Sequence, residues 1–478
     1  MRSTNSSRPI IFSPIVLLVV AIFILAFSAW LYTGGNFSAL ADRSAPQVVI
    51  MRSGGDSLTS DLKLSANDVS GITALRITAR QGNEAEVEIA KETFNPSLPS
   101  LEKLLTINPK ALGFAEGEIN LKAEITDSGF FHNVGAATLQ LLVDYSPPTI
   151  ALLSRQFTAN QGGAEFLLYR VGGGAYTRTG VQIGDFFFRG LPGSAFDNRL
   201  TDHSDIHGVL IALPLGFAEQ QTPINLFVED AAGNKAQTIV QIPIKPLKQV
   251  DVNSKLTLSF LQRKLPEMIA SYEARNAKAV SQQRVDQSDM SPAAQTTRFK
   301  LINETYRRAL QQEMFKLIDN SAPTKLWSGT FTRPIPGSTT SLFGERRTYG
   351  LDGLAAGGSL HEGLDLASVQ SDAVRAANAG NVVFAGELGI YGNTIMIDHG
   401  TGLLSLYGHL SSTAVAVDSA VIQNQEIGRT GSTGLAGGDH LHFEFRVGHV
   451  SVNPIEWWDP KWIADNIDGK VLEFLSRP

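Results

Sequence analysis

The sequence predicts a multidomain, mainly β protein with an N-terminal transmembrane helix and a helical hairpin between its β domains. Three observations support this fold class. A long apolar segment occupies residues 15–32, alternating strands bounded by turn residues fill most of the remaining chain, and helical periodicity marks 252–319, with a partly helical segment at 456–475. With 43% hydrophobic and 18% charged residues, the composition is typical of folded domains rather than of disorder.

Residues 1–40 are interpreted as a cytoplasmic tail followed by a transmembrane anchor. No charged side chain occurs in 9–41, and the apolar stretch is near the minimum length for a helix that spans a bilayer. Arg2 and Arg8 precede the stretch, and basic residues favour the cytoplasmic side of the membrane. A cleaved signal peptide is the alternative, because Ala-Leu-Ala at 39–41 resembles a cleavage site.

Both interpretations place the body of the protein in the periplasm or cell-wall space. The anchor interpretation makes it a single-pass protein of the inner (cytoplasmic) membrane, which it contacts through the N-terminal helix.

Residues 45–250 show the alternation of β-strands, and this region contains an internal repeat. The segment "LGFAEGEINLKAEITDSG" begins at Leu112, and "LGFAEQQTPINLFVEDAAGN" begins at Leu215, about 100 residues later. In both copies an apolar strand ends in an acidic turn and a second strand follows. This period matches the size of a β-sandwich, so we expect two tandem Ig-like sandwiches at 45–147 and 148–247. A spacer role and a recognition role are both open for them.

Residues 252–319 are expected to form a helical hairpin. Apolar residues recur at steps of three and four in two segments of this region. Pro266 is expected to start or kink the first helix, and residues 288–295 are expected to join the two. The apolar stripes predict either a seam between the helices or packing on a neighbouring domain.

Charge and cysteine content exclude several classes of function. The net charge is −6 with no long basic run, so nucleic acid is not an expected partner. The absence of cysteine excludes disulfides, cysteine-ligated zinc and cysteine nucleophiles.

The remaining candidate chemistry lies at 325–478, where six of the nine histidines of the chain occur between 361 and 449. His361 and Asp365 are four residues apart, as in helical H-E-x-x-H metal motifs, but the surrounding glycines favour a loop that enters a strand. Histidine and aspartate still form a competent pair of zinc ligands.

Alternation predicts how the other histidines point. His440 and His442 flank one leucine, so in a strand both imidazoles share a face while their apolar neighbours point to the core. One ring can then bind a metal while the other hydrogen-bonds to what the metal holds. The same rule places Tyr407 and His409 of "LYGHL" on one face.

The ordered set of short motifs resembles a known family. In chain order the set comprises "FGERR" (343–347), "HEGLDLA" (361–367), "YGN" (391–393), "YGHL" (407–410), "GRTGSTG" (428–434) and "HLHFE" (440–444). This order is similar to that of the lysostaphin-like (LytM-type) zinc metalloendopeptidases, which hydrolyse bacterial peptidoglycan. The resemblance covers about 327–460 and implies a small, open β-sheet peptidase domain.

The resemblance implies a role for each histidine of the set. His361, Asp365 and His442 would bind one zinc ion, which leaves a fourth position for water. Zinc lowers the pKa of such a water to about 7 and polarises a peptide carbonyl. His409 and His440 match the two non-ligand histidines of the family, which move protons and stabilise the oxyanion. Which histidine does which is left open.

Other polar residues are weaker candidates. Glu444 shares the predicted face of His442 and either orients that ligand or faces solvent, and Tyr407 is a further candidate beside the site. Arg346 is a candidate for contacting a substrate carboxylate, with an ordinary surface ion pair as the alternative. His399 is expected to be structural and His449 to lie at the surface.

One further histidine motif lies outside the C-terminal region. The sequence "DHSDIH" (202–207) resembles a metal site by composition but is expected to be a loop of the second sandwich.

The function implied by the resemblance is a membrane-anchored zinc endopeptidase that cleaves the stem-peptide crosslinks of peptidoglycan. Two alternatives belong to other classes. A non-catalytic relative would activate or bind another cell-wall hydrolase, although such relatives usually lack zinc ligands and this chain has replaced none. An Ig-like scaffold would use its C-terminal domain only to bind glycan. The order of the domains also suggests that the preceding segments either span the periplasm or cover the groove.

Overall fold

The computed structural model describes residues 14–32, 42–54, 59–217, 222–276 and 285–477. The chain divides into two compact units, one of Met1–Pro147 with Asp230–Asn234 and one of Pro148–Glu229 with Lys235–Pro478. The predicted charge bias at residues 2 and 8 and the predicted cleavage site at 39–41 lie outside the described residues.

The apolar N-terminal segment forms a helix, α1 (Pro14–Tyr32). Among the helices that the structure describes, none combines the length and apolarity that crossing a bilayer requires. The predicted transmembrane helix is therefore not confirmed.

The first unit contains one antiparallel sheet of five strands in the order β1-β2-β4-β5, with β3 paired to β2. Its strands are β1 (Gln47–Gly54), β2 (Ser60–Gln81), β3 (Val87–Ile107), β4 (Gly117–Asp127) and β5 (Val134–Val143). Alternate residues of β4, from Ile119 to Ile125, are fully buried in its core, as period-two alternation predicts.

The second β region builds two four-stranded sheets, β10-β9-β13-β14 and β11-β12-β8-β6. The strands of this region are β6 (Thr149–Leu152), β7 (Ala159–Asn160), β8 (Ala164–Gly172), β9 (Tyr176–Ile183), β10 (Phe186–Arg189), β11 (Leu191–Pro192), β12 (Ile206–Ala212), β13 (Ile224–Asp230), β14 (Lys235–Ile239) and β15 (Ile244–Lys245). Apolar residues of both sheets share one core. Assignment of either β region to the Ig-like fold stays a prediction.

The repeated acidic turns close equivalent hairpins by the same chemistry. Asp127 accepts hydrogen bonds from the Gly129 amide at 3.0 Å and from the Asn133 side chain at 2.8 Å. Asp230 accepts equivalent bonds from Ala232 at 2.8 Å and from the Asn234 side chain at 2.9 Å. An aspartate that bonds to backbone amides two residues ahead is a recognised turn former, which explains why this residue type recurs in the repeat.

The predicted helices form and pack on the C-terminal domain. They are α2 (Leu258–Arg275), α3 (Pro292–Lys300) and α4 (Arg307–Ile318), with a π-helical segment (Leu301–Tyr306) that joins α3 to α4. Thr257 caps α2 by accepting a bond from the Phe260 amide at 3.2 Å. Pro266 lies inside α2, so the expectation that it starts the helix is wrong. The apolar stripes of the helices share a core with the C-terminal sheet.

The C-terminal domain is built on an eight-stranded sheet with the order β17-β20-β28-β24-β23-β22-β26, in which β29 pairs with β28. Its strands, with those of two adjoining three-stranded sheets, are β16 (Asp251–Lys255), β17 (Ser338–Ser341), β18 (Arg346–Leu351), β19 (Leu354–Leu360), β20 (Leu364–Ala367), β21 (Ala373–Arg375), β22 (Gly380–Glu387), β23 (Asn393–Asp398), β24 (Leu403–Leu410), β25 (Ser412–Thr413), β26 (Ala420–Val421), β27 (Glu426–Arg429), β28 (Leu441–Val447) and β29 (Val450–Val452). Three short helices follow: α5 (Pro454–Trp457), α6 (Pro460–Ile463) and α7 (Gly469–Leu475).

Two packing features of this domain matter for the site. Strand β16 precedes the helices in sequence, yet it pairs in parallel with β18 and so joins the C-terminal domain. The core of the second β region is also continuous with the core under the eight-stranded sheet. The site described next is therefore framed by chain from well before residue 325.

Candidate metal centre

The three predicted ligands converge at the centre of the eight-stranded sheet. His361 lies in the short connection between β19 and β20, Asp365 lies on β20, and His442 lies opposite Asp365 on the neighbouring strand β28. His361 Nε2 is 3.0 Å and His442 Nδ1 is 2.8 Å from Asp365 Oδ1, and the two nitrogens are 3.2 Å apart. All three side chains are buried.

In each ligand histidine, the nitrogen that faces away from Asp365 donates a hydrogen bond, and this bond determines the tautomer of the ring. His361 Nδ1 donates to the Leu342 carbonyl at 2.8 Å, and His442 Nε2 donates to Glu444 Oε1 at 2.9 Å. In the neutral rings the inner nitrogens then carry lone pairs that face the Asp365 carboxylate. Three acceptors within about 3 Å repel one another unless a cation lies between them. Zinc bound tetrahedrally at its usual bond lengths separates ligand atoms by about 3.3 Å, so this donor set fits zinc.

The pKa shifts of His442 and Asp365 reflect the same crowding of hydrogen-bond acceptors and carboxylates at the site. Burial lowers the pKa of His442, but hydrogen bonds to Asp365 and Glu444 outweigh burial and raise it to about 9. Burial raises the pKa of Asp365, but its interactions with His361 and His442 hold it well below its usual value. His442 thus holds a proton between two carboxylates, and a divalent cation would displace that proton.

Buried charged residues hold the ligands in place through hydrogen bonds. Glu444 is 1% exposed, and its second oxygen accepts from Arg446 Nη1 at 3.0 Å. Arg347 Nη2 donates to Asp365 Oδ2 at 3.0 Å and to Glu345 Oε2 at 3.3 Å. Glu444 therefore orients His442, as one of its two predicted roles required, and the alternative of solvent exposure is wrong. Such carboxylate–histidine pairs tune the basicity of a ligand.

His409 and His440 lie beside the three ligands. The His409 ring centroid is 4.8 Å from that of His440 and 5.8 Å from that of His442, and His440 Nε2 is 3.7 Å from Asp365 Oδ1. His409 Nδ1 donates to the Thr433 carbonyl at 2.9 Å, which leaves Nε2 as an acceptor. Burial holds the pKa of His409 well below its usual value, so the ring is neutral at neutral pH.

Tyr407 does not share the face of His409, and that prediction is wrong. A bulge between β23 and β24 disrupts the alternation, and His409 adopts a φ of +63°. The Tyr407 ring instead packs on Phe443 in the core at 5.2 Å, and its hydroxyl accepts from the Ala377 amide at 2.8 Å. Tyr407 consequently supports the sheet from the side opposite the metal centre.

Arg346 is also displaced from its predicted role. Its side chain is exposed, and it contacts Asp251 of β16 and Gln249 just before that strand, as the surface-pair alternative expected. The neighbouring Arg347 points the other way along β18 and contacts the ligand Asp365. Sequence alternation would place only one of two adjacent arginines at the site, but the start of β18 was needed to choose between them.

The remaining histidines lie apart from the metal centre. His399 is fully buried and donates to the Ala379 carbonyl at 2.7 Å, and burial lowers its pKa to about 4. His449 pairs with Asp319 at 2.7 Å. In "DHSDIH", His207 is buried against Tyr176, whereas the His203 ring contacts Phe474. The contacts of His399 agree with the structural role expected of it, and His449 is partly exposed. His207 lies on β12, so the expectation that "DHSDIH" is a loop is wrong at that residue.

Three relevant residues were missed in the sequence. Arg446 follows His442 and Glu444 at steps of two, so period-two alternation could have found it. Arg347 was missed because the adjacent Arg346 was the equally plausible candidate until the start of β18 was known. Tyr391 belongs to the "YGN" motif, and its ring lies 5.7 Å from the His442 ring.

Comparison with known proteins supports the resemblance inferred from the motifs. Residues 359–454 match the model of peptidase family M23. The DD-carboxypeptidase/endopeptidase Mpg of Neisseria meningitidis is 44% identical over 96 residues, which are 20% of this chain and 22% of that protein. The murein hydrolase activator EnvC of Escherichia coli is 33% identical over 124 residues, which are 26% of this chain and 28% of that protein.

A solved structure of a putative peptidase M23 from Pseudomonas aeruginosa aligns with 64% of this chain and 96% of its own, at 17% identity and a TM-score of 0.38. The chain spans only about a fifth of the length of the first curated relatives it matches. The resemblance is confirmed for the C-terminal domain, which is a peptidase M23 domain.

Proposed function

We propose that this protein is a zinc endopeptidase that hydrolyses the peptide crosslinks of bacterial peptidoglycan. The observation that carries the proposal is the convergence of His361 Nε2, Asp365 Oδ1 and His442 Nδ1, with two unligated imidazoles beside them. A zinc ion held there would supply Lewis acidity toward a substrate carbonyl and would acidify a water molecule.

The residues of the chain account for positioning and proton transfer. Arg347 and Glu444 hold Asp365 and His442 in the orientation that ligation needs. His409 is neutral and presents an acceptor nitrogen, so it is suited to accept a proton from the attacking water or a hydrogen bond from the substrate. His440 Nδ1 donates to the Gly438 carbonyl at 2.9 Å, which turns its Nε2 toward the same space.

The substrate class is supported by the M23 match and by the name of the Neisseria relative, which describes a carboxypeptidase and endopeptidase that acts on D,D bonds. Within this class, the D-alanyl–diaminopimelate crosslink is the expected bond if the N-terminal anchor places the chain in a Gram-negative periplasm. The proposal covers only the reaction catalysed. For the two β regions, a spacer role and a recognition role both stay open.

The test uses the full-length chain, because β16 and the helices complete the site. Zinc-loaded protein should hold about one zinc ion per chain and should release monomers from defined crosslinked muropeptides analysed by mass spectrometry. The His442→Ala variant should lose both zinc and hydrolysis. Zinc-loaded protein that leaves every crosslink intact would refute the enzyme proposal.

The alternative function is that of a non-catalytic activator, which is favoured by one observation. Two activators of Escherichia coli, EnvC and NlpD, are each 33% identical to segments of this chain. An activator would leave muropeptides intact but would increase cleavage of the glycan–peptide amide by a separate cell-wall amidase. The same preparation, assayed with and without such an amidase, distinguishes the two functions.

The proposed location is the periplasm or cell-wall space, with attachment to the cytoplasmic membrane. This part depends on the uncharged apolar segment at 15–32. Fractionation of cells, followed by protease treatment of spheroplasts, should find the C-terminal domain in the membrane fraction and accessible from outside. Recovery of the intact chain in the cytosol would contradict it.

A further inference from the structure

The cavity beside the metal ligands is walled by segments outside the M23 match. It has a volume of about 360 Å³, and its lining includes His361, Asp365 and His442. The lining also includes Phe260 of α2 and Arg307 at the start of α4. The helices before the peptidase domain are therefore part of the substrate site and do not merely link domains.

Arg307 is held in place with most of its donors unused. Its Nε donates to the Asn303 carbonyl at 3.1 Å, and its Nη2 donates to Asn303 Oδ1 at 3.0 Å. Asn303 is 1% exposed and is itself fixed by donation to the Gly358 carbonyl at 2.9 Å. A guanidinium has five N–H donors, so both hydrogens of Nη1 and one of Nη2 remain. That pair of nitrogens matches the two oxygens of a carboxylate.

The two carboxylates that line the cavity are paired with a residue other than Arg307. Glu345 and Asp365 are both paired with Arg347, and Asp365 also faces the two ligand histidines. Among the described residues, no carboxylate forms an ion pair with Arg307, whose recorded partners are the two oxygens of Asn303. A divalent cation at the ligands would make the cavity more positive still.

A second polar group in the cavity also lacks a partner. The Tyr391 hydroxyl is buried and has no hydrogen-bond partner among the described residues, and Tyr391 lines the same cavity. Burial raises the pKa of Tyr391 well above its usual value, and the carboxylates of Glu444 and Glu362 add to that rise. The Tyr391 ring lies 5.7 Å from the His442 ring, and Arg307 lines the same cavity as both residues.

We propose that Arg307 determines substrate specificity by binding a free carboxylate of the stem peptide through Nη1 and Nη2. This inference rests on the proposed function, since it names the substrate group that the same site recognises. The partly buried Phe260 and the buried Phe299 line the same cavity as Arg307, and these apolar rings limit water there, which strengthens a charged hydrogen bond. Substrates in which that carboxyl is an amide lose both the charge and one acceptor.

The test compares three zinc-loaded full-length proteins: wild type, Arg307→Gln and Arg307→Lys. Arg308→Gln is the matched control, because the neighbouring Arg308 is exposed and does not line the cavity. The substrates are one crosslinked muropeptide with free carboxyls and two versions amidated either at diaminopimelate or at D-glutamate. Zinc content and thermal unfolding confirm that each variant is folded.

Wild type should cleave the free-carboxyl substrate about 10- to 100-fold more efficiently than one of the two amidated versions, and that version identifies the carboxyl. Arg307→Gln should lose this preference, Arg307→Lys should retain part of it, and Arg308→Gln should keep it in full. Equal preference in wild type and Arg307→Gln, or no preference in wild type, would overturn the inference.

Calorimetric affinities for the same muropeptides separate this inference from the proposed function. They are measured with His409→Ala, with and without Arg307→Gln, so that no substrate is consumed. A 10- to 100-fold affinity difference that depends on Arg307 supports the inference even where wild type shows no hydrolysis. Equal affinities overturn it even where hydrolysis occurs.

Discussion

Glu456 provides a quantitative prediction about the joint between the second β region and the peptidase domain. This residue of α5 is 7% exposed, and its two oxygens accept from the Asn160 side chain at 2.7 Å and from the Ala164 amide at 3.0 Å. Burial raises the pKa of Glu456 to about 7 despite these bonds. The folded state therefore binds a proton at pH values where the unfolded chain has released it.

The sign of the effect follows from linkage. Since the folded-state pKa lies above the value of 4.5 for the free side chain, the contribution of Glu456 is complete below pH 4.5 and is lost as pH rises through 7. The difference between these values corresponds to about 3 kcal/mol in the free energy of unfolding. The Glu456→Gln variant cannot ionise, so it lacks this pH dependence.

Chemical denaturation from pH 5 to pH 8, followed by tryptophan fluorescence, measures the effect. Four of the five tryptophans belong to the C-terminal domain, and Trp457 is adjacent to Glu456 and fully buried. The stability of wild type relative to Glu456→Gln should fall by about 2–3 kcal/mol over this range. Glu473→Gln, which removes an exposed carboxylate, controls for the loss of one charge. A difference between wild type and Glu456→Gln that stays constant with pH would refute the reasoning.

Three further substitutions test the metal centre and its support. Glu444→Gln should weaken zinc binding about 10- to 100-fold, because the carboxylate orients His442, and equal affinity in a chelator competition would contradict this. His409→Ala should lower kcat by about 10²- to 10⁴-fold at unchanged zinc content, and full activity would exclude His409 from proton transfer. Lys470→Met should destabilise the fold by about 3–5 kcal/mol, since it leaves the Glu165 carboxylate buried without its partner. An unchanged melting temperature at pH 8 would contradict that estimate.

The sequence was most informative where local rules act alone. Alternation through His440 and into β28 predicted that the His440 and His442 side chains lie on one face, and glycine content correctly placed His361 in a loop that enters a strand. Alternation failed at Tyr407 because a bulge and a positive φ at His409 shift the strand, and neither has a signature in one sequence. The role of Arg307 had no local signal, because it depends on how distant segments pack.

The functional unit is longer than the segment that matches the family model, because the helices before residue 320 pack on the C-terminal domain. Buried side chains of the helices, Ile302, Tyr306 and Leu310, share one core with buried residues of the C-terminal domain. Those residues of the domain are Leu351, Ala356, Leu388, Ile390, Tyr391, Met396, Leu404 and Leu406. Removal of the helices would expose these apolar residues to water, at a cost of about 25 cal/mol for each Å². It would also release contacts that hold loops of the site.

Two polar contacts show how closely the helices and the metal centre are connected. Gln311 of α4 donates to Glu362 at 2.7 Å, and Glu362 is the residue directly after the ligand His361. Lys264 of α2 donates to the carbonyl of Ser432, next to Thr433, which accepts the hydrogen bond of His409. Helices α2 and α4 therefore each contact a segment that carries or orients a histidine of the site. The helices therefore belong to the same structural unit as the metal centre, and cutting the chain near residue 320 would remove part of the site along with the linker.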